Sequence, residues 1–224
     1  LHGQLDLAVG TAIGSNIVNI LLILGLAALL HPFRVHSDVL RRELPLMLIV
    51  SLLAGCVFYD GVLSYSDGIF LLALAVIWLL YSVKIARLAE KQGQDSLTRE
   101  QVAELPREGT LPVALLWLGV ALIIMPMATR MVVDNATVLA NYFAISELTI
   151  GLTVIAIGTS LPELATAIAG ARKGEDDIAI GNIIGSNIFN IAIVMGLPAL
   201  ITPGPFNPLA FSRDYGVMFL VSVI

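Results

Sequence analysis

The chain has 224 residues, of which 58% are hydrophobic and only 13% are charged, and its mean hydropathy is +0.92. Soluble domains are about 45–50% apolar and roughly 25% charged, and one core could not bury this much apolar surface. The composition therefore predicts an all-α polytopic membrane protein in a lipid bilayer. The net charge of −5 and the absence of a basic cluster exclude nucleic acid as a partner. Its one cysteine, Cys56, excludes an internal disulfide.

Long apolar stretches predict six complete membrane spans and part of a seventh. A span needs about 20 mostly apolar residues. The stretches that meet this length lie near residues 7–30, 40–59, 67–87, 110–130, 147–171 and 177–201, and an incomplete one covers 214–224. The chain does not start with Met and stops within an apolar run. We therefore expect a fragment truncated at both ends, whose partners include N- and C-terminal helices of the same protein.

Lys and Arg predict the orientation of these spans, because cytoplasmic loops carry an excess of both residues. The loops near 31–42, 84–109 and 172–176 hold three, five and two of them. The alternate loops hold none, one and one. We therefore expect 31–42, 84–109 and 172–176 on the cytoplasmic side.

Two segments of the chain are copies of one another. Residues 6–26, DLAVGTAIGSNIVNILLILGL, align without gaps to residues 177–197, DIAIGNIIGSNIFNIAIVMGL, and 12 of 21 positions are identical at an offset of 171. The second copy lies five predicted spans after the first, so the two copies cross the membrane in opposite directions. Inverted repeats are typical of secondary transporters, whose binding sites lie near the membrane midplane between the repeats.

The repeat also predicts how the chain is organised. Residues 1–87 would be the remainder of the first inverted repeat, 88–109 a short cytoplasmic loop, and 110–224 the second repeat. The offset of 171 predicts a counterpart of residues 151–171 upstream of Leu1.

Glu163 lies near the middle of a predicted span, whereas nearly all other acidic residues fall in loops or at helix ends. A carboxylate at this depth costs at least about 2.5 kcal/mol and marks a functional site by default. Thr159 precedes it by one helical turn, with Ser160 beside it, and Pro162 clashes with the carbonyl group of Gly158 and releases backbone oxygens. This set of oxygens predicts a site for a hard cation such as Ca²⁺ or Na⁺. The alternative is a structural carboxylate.

Each copy of the repeat adds a Ser and an Asn four residues apart, on one helix face: Ser15 with Asn19, and Ser186 with Asn190. We predict that both pairs supply neutral oxygen ligands, with interhelical hydrogen bonding as the alternative. Asn16 and Asn187 lie about 100° further around the helix and are weaker candidates.

The copies also carry two motifs of small residues. Gly10 and Gly14 are four residues apart, as are Gly181 and Gly185. Such pairs let two membrane helices approach closely, so we predict that both motifs are packing faces.

The motifs AIGTSLPE at 156–163, GNIIGSNIFN at 181–190 and GTAIGSNIVN at 10–19 resemble the repeats of the cation/calcium exchanger superfamily, which includes sodium/calcium exchangers. The resemblance covers essentially the whole chain. It implies ten helices in two inverted halves of five, of which this chain holds the third to the eighth and part of the ninth. It also implies a location in the bacterial inner membrane.

The resemblance implies a cation site formed by Glu163, Thr159, Ser160, the carbonyl group of Ala156, Ser186, Asn190, Ser15 and Asn19. The Thr, Ser and Glu of the first repeat would precede Leu1. Well-studied exchangers of this family have an acidic residue where this chain has Asn190. The site of this chain would therefore have one carboxylate fewer than theirs.

The expected function is secondary active antiport, exchanging Ca²⁺ for Na⁺ or H⁺ by alternating access. No covalent chemistry is needed, so we expect neither an enzyme nor a resident cofactor, and the transported cations are the expected ligands. A cation channel or uniporter with the same ligands is one alternative. An intramembrane hydrolase using Ser160 and Glu163 is another, disfavoured because no His or Lys lies near enough in sequence to act as its base.

Overall fold

The computed structural model describes residues 2–30, 32, 37–92, 111–143, 145–174 and 176–223. These residues are almost entirely helical, and the helices coincide with all seven predicted spans. The prediction of an all-α bundle is therefore confirmed.

Four helices form the first part of the bundle. Helix α1 covers 2–30 and consists of an α-helix His2–Val18, a π-helical segment Asn19–Leu24 and an α-helix Gly25–Leu30. Helix α2 is Ser37–Phe58, α3 is Tyr65–Gln92 and α4 is Leu111–Tyr142.

Four further helices follow. Helix α5 covers 147–159, in the order Glu147–Ile150, a π-helical segment Gly151–Ile155, and Ala156–Thr159, and α6 is Leu161–Lys173. Helix α7 covers 176–201, in the order Asp176–Phe189, a π-helical segment Asn190–Val194, and Gly196–Ile201. Helix α8 covers 210–223, as a π-helical segment Ala210–Tyr215 and an α-helix Gly216–Val223.

Several of these helices suit a lipid bilayer. Among the described residues, Leu5–Leu30, Tyr65–Ile85 and Asp176–Ile201 are long and apolar enough to cross a membrane, and α5 with α6 forms a fourth candidate span. Many of the large side chains on the outside are apolar; Leu29, Leu80 and Trp117 are each at least 65% exposed. Such surfaces are compatible with lipid and not with water.

Helices α3 and α4 continue five residues or more past the predicted C-terminal ends of their spans. Helix α3 continues to Gln92, so residues 88–92 of the predicted loop are helical, and the rest of that loop lies outside the described residues. Helix α4 continues well past residue 130 to Tyr142. The extension contains neither Gly nor Pro, and Arg130 pairs with Asp134 one turn later at 3.7 Å. The predicted span ended at residue 130 because Arg130 is charged. A charged pair on an exposed helix face, however, does not end a helix.

The main core lies between α1, α2, α7 and α8. Ile13, Phe58, Ile188 and Met218 are each at most 2% exposed and belong to one apolar cluster. The ring of Phe58 packs edge-on against Tyr215, with centroids 5.4 Å apart. This core therefore joins both copies of the repeat to the helices that follow them.

Helix α1 packs closely against α5 at glycine residues. A Cβ atom added at Gly14 would lie 2.5 Å from the carbonyl oxygen of Leu152, and one added at Gly151 would lie 2.5 Å from that of Leu7. The first glycine motif is therefore a close-packing face, as predicted. A Cβ atom at Gly185 would meet only a ring carbon of Trp78, at 3.8 Å. The packing role of Gly181 and Gly185 stays a prediction.

A two-stranded bridge links two loops. Strand β1, Val62–Leu63, pairs antiparallel with β2, Gly204–Pro205, and the N–H group of Phe206 donates to the carbonyl group of Gly61 at 3.1 Å. The loops that follow α2 and α7 therefore meet at the same end of the bundle. The sequence does not predict this bridge, because two-residue strands leave no periodic pattern.

Candidate cation site

The site is built around a broken helix. Helix α5 ends at Thr159, α6 begins at Leu161, and the two axes differ by 41°. Ser160 between them has φ −91° and ψ 1°, outside the helical region. Pro162 lies in the first turn of α6. Proline has no N–H group, but residues of the first turn donate no intrahelical hydrogen bond, so proline is tolerated there. The interruption predicted from Pro162 is therefore present, and it falls at Ser160.

Glu163 lies in the first turn of α6 and lines a cavity of about 500 Å³. The cavity is also lined by Thr159, Ser186 and Asn190, so half of the eight predicted site residues share it. In the described structure, the Oε2 atom of Glu163 is buried and accepts no hydrogen bond. An unpaired buried carboxylate oxygen costs free energy, which a bound cation would offset. The first turn of a helix also favours a negative charge.

The hydroxyl group of Thr159 connects this cavity to α1. It lies 3.0 Å from the hydroxyl oxygen of Ser15 and donates to the carbonyl groups of Ile155 at 3.0 Å and Ala156 at 3.2 Å. The predicted ligands Ser15 and Ala156 therefore both contact Thr159. Ser160 is 2% exposed and is not among the residues that line the cavity.

Asn19 is 1% exposed and is not among the residues that line this cavity. Its Nδ2 atom donates to the Oδ1 atom of Asn187 at 2.9 Å, whereas its own Oδ1 atom is buried without a partner in the described structure. Asn190 likewise donates from Nδ2, to the Oδ1 atom of Asn16 at 3.0 Å. Asn16 and Asn187, the weaker candidates, are thus bound to the predicted ligands Asn190 and Asn19. Nothing in the sequence predicts this pairing.

A π-helical segment begins at each of the two asparagines, Asn19 and Asn190. In the second copy, the N–H group of Met195 donates to the carbonyl group of Asn190 five residues back, at 3.2 Å. π-Helical turns are rare and occur often at functional sites. Their presence at equivalent positions of both copies supports a shared role for the two asparagines.

The cavity is also lined by two residues that were not predicted from the sequence, Trp78 and Asn182. Trp78 of α3 lines it, and its Nε1 atom is buried without an acceptor in the described structure; within an apolar run, nothing in the sequence distinguished it. Asn182 lines the cavity and donates to the Thr166 hydroxyl at 2.9 Å. Asn182 stands opposite Thr11 in the repeat alignment, and this polar pair could have suggested it.

The charge of the site is low. Among the described residues, no group of three or more His, Cys, Asp or Glu side chains could hold a metal ion. Glu163 is the acidic residue in the cavity lining, and its neighbours Thr159, Ser186 and Asn190 supply neutral oxygens. All-oxygen ligands suit hard cations, which prefer oxygen to nitrogen or sulfur.

Comparison with known proteins gives the family. The family model for the sodium/calcium exchanger protein matches residues 1–84 and 113–224. The chain belongs to this family. It is 81% identical to inner membrane protein YrbG of Escherichia coli strain K12, over 100% of this chain and 69% of that protein. It is 28% identical to sodium/calcium exchanger MaX1 of Methanosarcina acetivorans, over 97% of this chain and 71% of that protein.

A solved structure shows the same fold. The sodium-calcium exchanger NCX_Mj, soaked with 2.5 mM Na⁺ and 10 mM Sr²⁺, matches with a TM-score of 0.65 and 30% identity, over 98% of this chain and 69% of that chain. The chain therefore has the exchanger fold and is a multi-pass membrane protein. Its function is secondary active cation antiport, as the sequence predicted.

Proposed function

We propose that this antiporter exchanges Ca²⁺ for Na⁺ or H⁺ across a bacterial inner membrane, and that the cation binds in the cavity beside Glu163. One observation carries this proposal: the buried Oε2 atom of Glu163 has no hydrogen-bond partner in the described structure and borders a cavity lined by Thr159, Ser186 and Asn190. The names of MaX1 and NCX_Mj support sodium and calcium as the ions, and the name of YrbG supports the inner membrane.

The eight predicted residues would act in two groups. Glu163, Thr159, Ser186 and Asn190 line the cavity and would contact the ion directly. The other four, Ser15, Asn19, Ser160 and the Ala156 carbonyl group, would complete the shell from α1 and the helix break. The Oδ1 atom of Asn19 supports this arrangement, because it is buried and unpaired in the described structure.

The exchange would depend on charge. One carboxylate balances Na⁺ or H⁺ fully, whereas Ca²⁺ keeps one excess positive charge beside it. The offset of 171 predicts a second carboxylate upstream of Leu1, which would balance that charge. Ions would then compete for the same oxygens, and each would leave only when another replaces it or Glu163 takes a proton. Because the two copies of the repeat run in opposite directions, each would line access from one side of the membrane.

No covalent step or resident cofactor is needed for this function, and we infer that the protein is not an enzyme. Neither His nor Lys is among the residues that line the cavity, so a nucleophile there would have no obvious base. The predicted cytoplasmic location of loops 31–42, 84–109 and 172–176 and the division into two repeats belong to the same proposal.

Radiolabelled Ca²⁺ uptake into vesicles that contain the full-length protein tests this function. We expect Ca²⁺ flux only when a gradient of Na⁺ or H⁺ is imposed, and collapse of that gradient with an ionophore should stop it. Equal Ca²⁺ flux with and without a counter-ion would instead indicate a channel or uniporter. No Ca²⁺ flux under either gradient would exclude calcium as the transported ion.

A further inference from the structure

Four asparagines form two equivalent hydrogen bonds between α1 and α7. Asn190 donates from Nδ2 to the Oδ1 atom of Asn16 at 3.0 Å, and Asn19 donates from Nδ2 to the Oδ1 atom of Asn187 at 2.9 Å. The offset of 171 relates Asn16 to Asn187 and Asn19 to Asn190. The same operation therefore converts one hydrogen bond into the other.

Two methionines extend this symmetry beyond the aligned segments. Asn16 donates from Nδ2 to the sulfur atom of Met218 at 3.6 Å, and Asn187 donates from Nδ2 to the sulfur atom of Met47 at 3.7 Å. The offset of 171 also relates Met47 to Met218. Both methionines are at most 2% exposed, so these contacts lie in the core of the protein. Helices α2 and α8 thus hold equivalent positions against the two copies of the repeat.

The network fixes which way each amide points. The thioether sulfur of methionine can accept a hydrogen bond but cannot donate one, and Asn16 also donates to the carbonyl group of Asn187 at 3.1 Å. Asn16 and Asn187 must therefore direct their NH₂ groups at these acceptors and their Oδ1 atoms the other way. Asn190 and Asn19, facing those oxygen atoms, must in turn use their NH₂ groups as donors.

We propose that Asn16 and Asn187 are positioning residues, which hold the amides of Asn190 and Asn19 with the carbonyl oxygen available to the cation. This inference rests on the proposed cation site. Asn190 lines the cavity, and the free Oδ1 atom of Asn19 is buried without a partner in the described structure. An amide turned by 180° would present NH₂ hydrogens, which carry partial positive charge and repel a cation. Met47 and Met218 act one step further out, because they fix the amides of Asn187 and Asn16.

A packing role is the competing explanation. Asparagine side chains can hydrogen bond between membrane helices and hold them together, with modest gain. The two roles differ in what they affect: a positioning residue changes the response to the cation, whereas a packing residue changes the stability of the protein without the cation. A carboxylate at position 19 or 190 has two equivalent oxygens, so its orientation needs no control. The ionised carboxylate also cannot donate the interhelical hydrogen bond, so a packing role is recognised instead by a lower melting temperature of the cation-free protein.

A double-mutant cycle separates these roles. Asn187→Leu is compared in the parent protein and in the Asn19→Asp background, and Asn16→Leu in the parent and in the Asn190→Asp background. The readouts are the apparent KM for Ca²⁺ in vesicles, the melting temperature of the purified protein without cations, and the rise in that temperature on adding Ca²⁺ or Na⁺. We expect each Leu variant to weaken Ca²⁺ about tenfold in the parent, the scale of one lost hydrogen bond to an ion. In the Asp background the loss should fall below about twofold, because no amide needs orienting.

If Asn187→Leu does not fold, the less disruptive variant Met47→Leu tests the same proposal. Met47→Leu keeps a similar volume and removes only the sulfur acceptor of Asn187. It should weaken cation binding in the parent and not in the Asn19→Asp background. Met195→Leu is the matched control, because Met195 is equally buried and its sulfur lies outside the network. It should change neither the KM nor the response to added cation.

Each outcome is decisive. Equal losses of Ca²⁺ affinity in the amide and carboxylate backgrounds would overturn the positioning role. Leu variants with a lower cation-free melting temperature but a parent-like response to added cation would overturn it too, and would leave only packing. If the parent binds cations and shows the expected cycle but does not exchange Ca²⁺, the proposed function fails and the positioning role stands. If no cation raises the melting temperature of the parent, the site itself is wrong and both proposals fall.

Discussion

The hydroxyl oxygens of Ser15 and Thr159 lie 3.0 Å apart, although 144 residues separate them in the chain. Ser15 belongs to the first copy of the repeat, and Thr159 is the last residue of α5 before the break at Ser160. This contact joins α1 to the helix that precedes Glu163. A displacement of α1 along α5 would therefore change the set of oxygens around the cavity.

Glu163→Gln should abolish cation exchange while expression and melting temperature stay near those of the parent. The amide keeps the shape of the side chain and removes the charge that attracts the ion. Radiolabelled Ca²⁺ uptake into vesicles measures the effect. Asp134→Asn is the control, since it also removes one negative charge, from a side chain that is 68% exposed. Parent-like uptake in the Gln variant would make Glu163 a structural carboxylate.

Asn19→Ala and Asn190→Ala should each raise the apparent KM for Ca²⁺, by about tenfold, because each change removes one neutral oxygen from the ion. The loss should be smaller than that caused by Glu163→Gln, which removes a charge. Vesicle uptake at graded Ca²⁺ concentrations gives these values. An unchanged KM in both variants would show that these amides serve only helix association.

Gly14→Ala should destabilise the protein by about 1–3 kcal/mol, the usual cost of overpacking a close contact. The new Cβ atom would lie 2.5 Å from the carbonyl oxygen of Leu152, so α1 and α5 would have to separate. Gly25→Ala is the matched control, because a Cβ atom there meets nothing within 4 Å. Thermal unfolding in detergent should show a lower melting temperature for the first variant alone. Equal melting temperatures would mean that the two helices do not pack through Gly14.

Single cysteines at Ser96 and Ser66 should react with an impermeant thiol reagent from opposite sides of the membrane in a Cys56→Ala background. The distribution of Lys and Arg predicts a cytoplasmic position for Ser96, which lies outside the described residues. Ser66 lies near the start of α3 and is exposed. Intact cells and inverted vesicles allow the two sides to be labelled separately. Reaction of both positions from one side would contradict the span count and the opposite directions of the two copies.

The sequence predicted most of the fold because a bilayer imposes simple rules on it. Apolar length alone located every helix, including α1 and α7 to within five residues of their ends. Apolar length did not predict the end of α4, which continues past its charged residues to Tyr142. It also missed the bridge between Val62–Leu63 and Gly204–Pro205, since a pairing between distant loops depends on the arrangement of helices and not on local pattern.

The candidate site was predictable in its composition and less so in its connections. Glu163 in an apolar span and the repeated Ser and Asn pairs identified the residues, and the cavity brings Glu163 together with Ser186 and Asn190. The partnership of Asn19 with Asn187 could not be predicted from helix periodicity. Periodicity places residues on a face, but the rotation of two helices about their axes decides which faces meet.

The glycine contact between α1 and α5 has a consequence for movement. Side chains that interlock must change rotamer before two helices can shift, and each change adds an energy barrier. Gly10, Gly14 and Gly151 carry no side chains that could interlock, and they face mainly backbone atoms, with the Cβ atom of Ala156 also close to Gly14. We therefore expect that a shift of α1 along α5 at these positions requires few changes of side-chain rotamer. A protein that must open alternately to the two sides of the membrane would benefit from this contact, because the helices could shift rapidly while they stay closely packed.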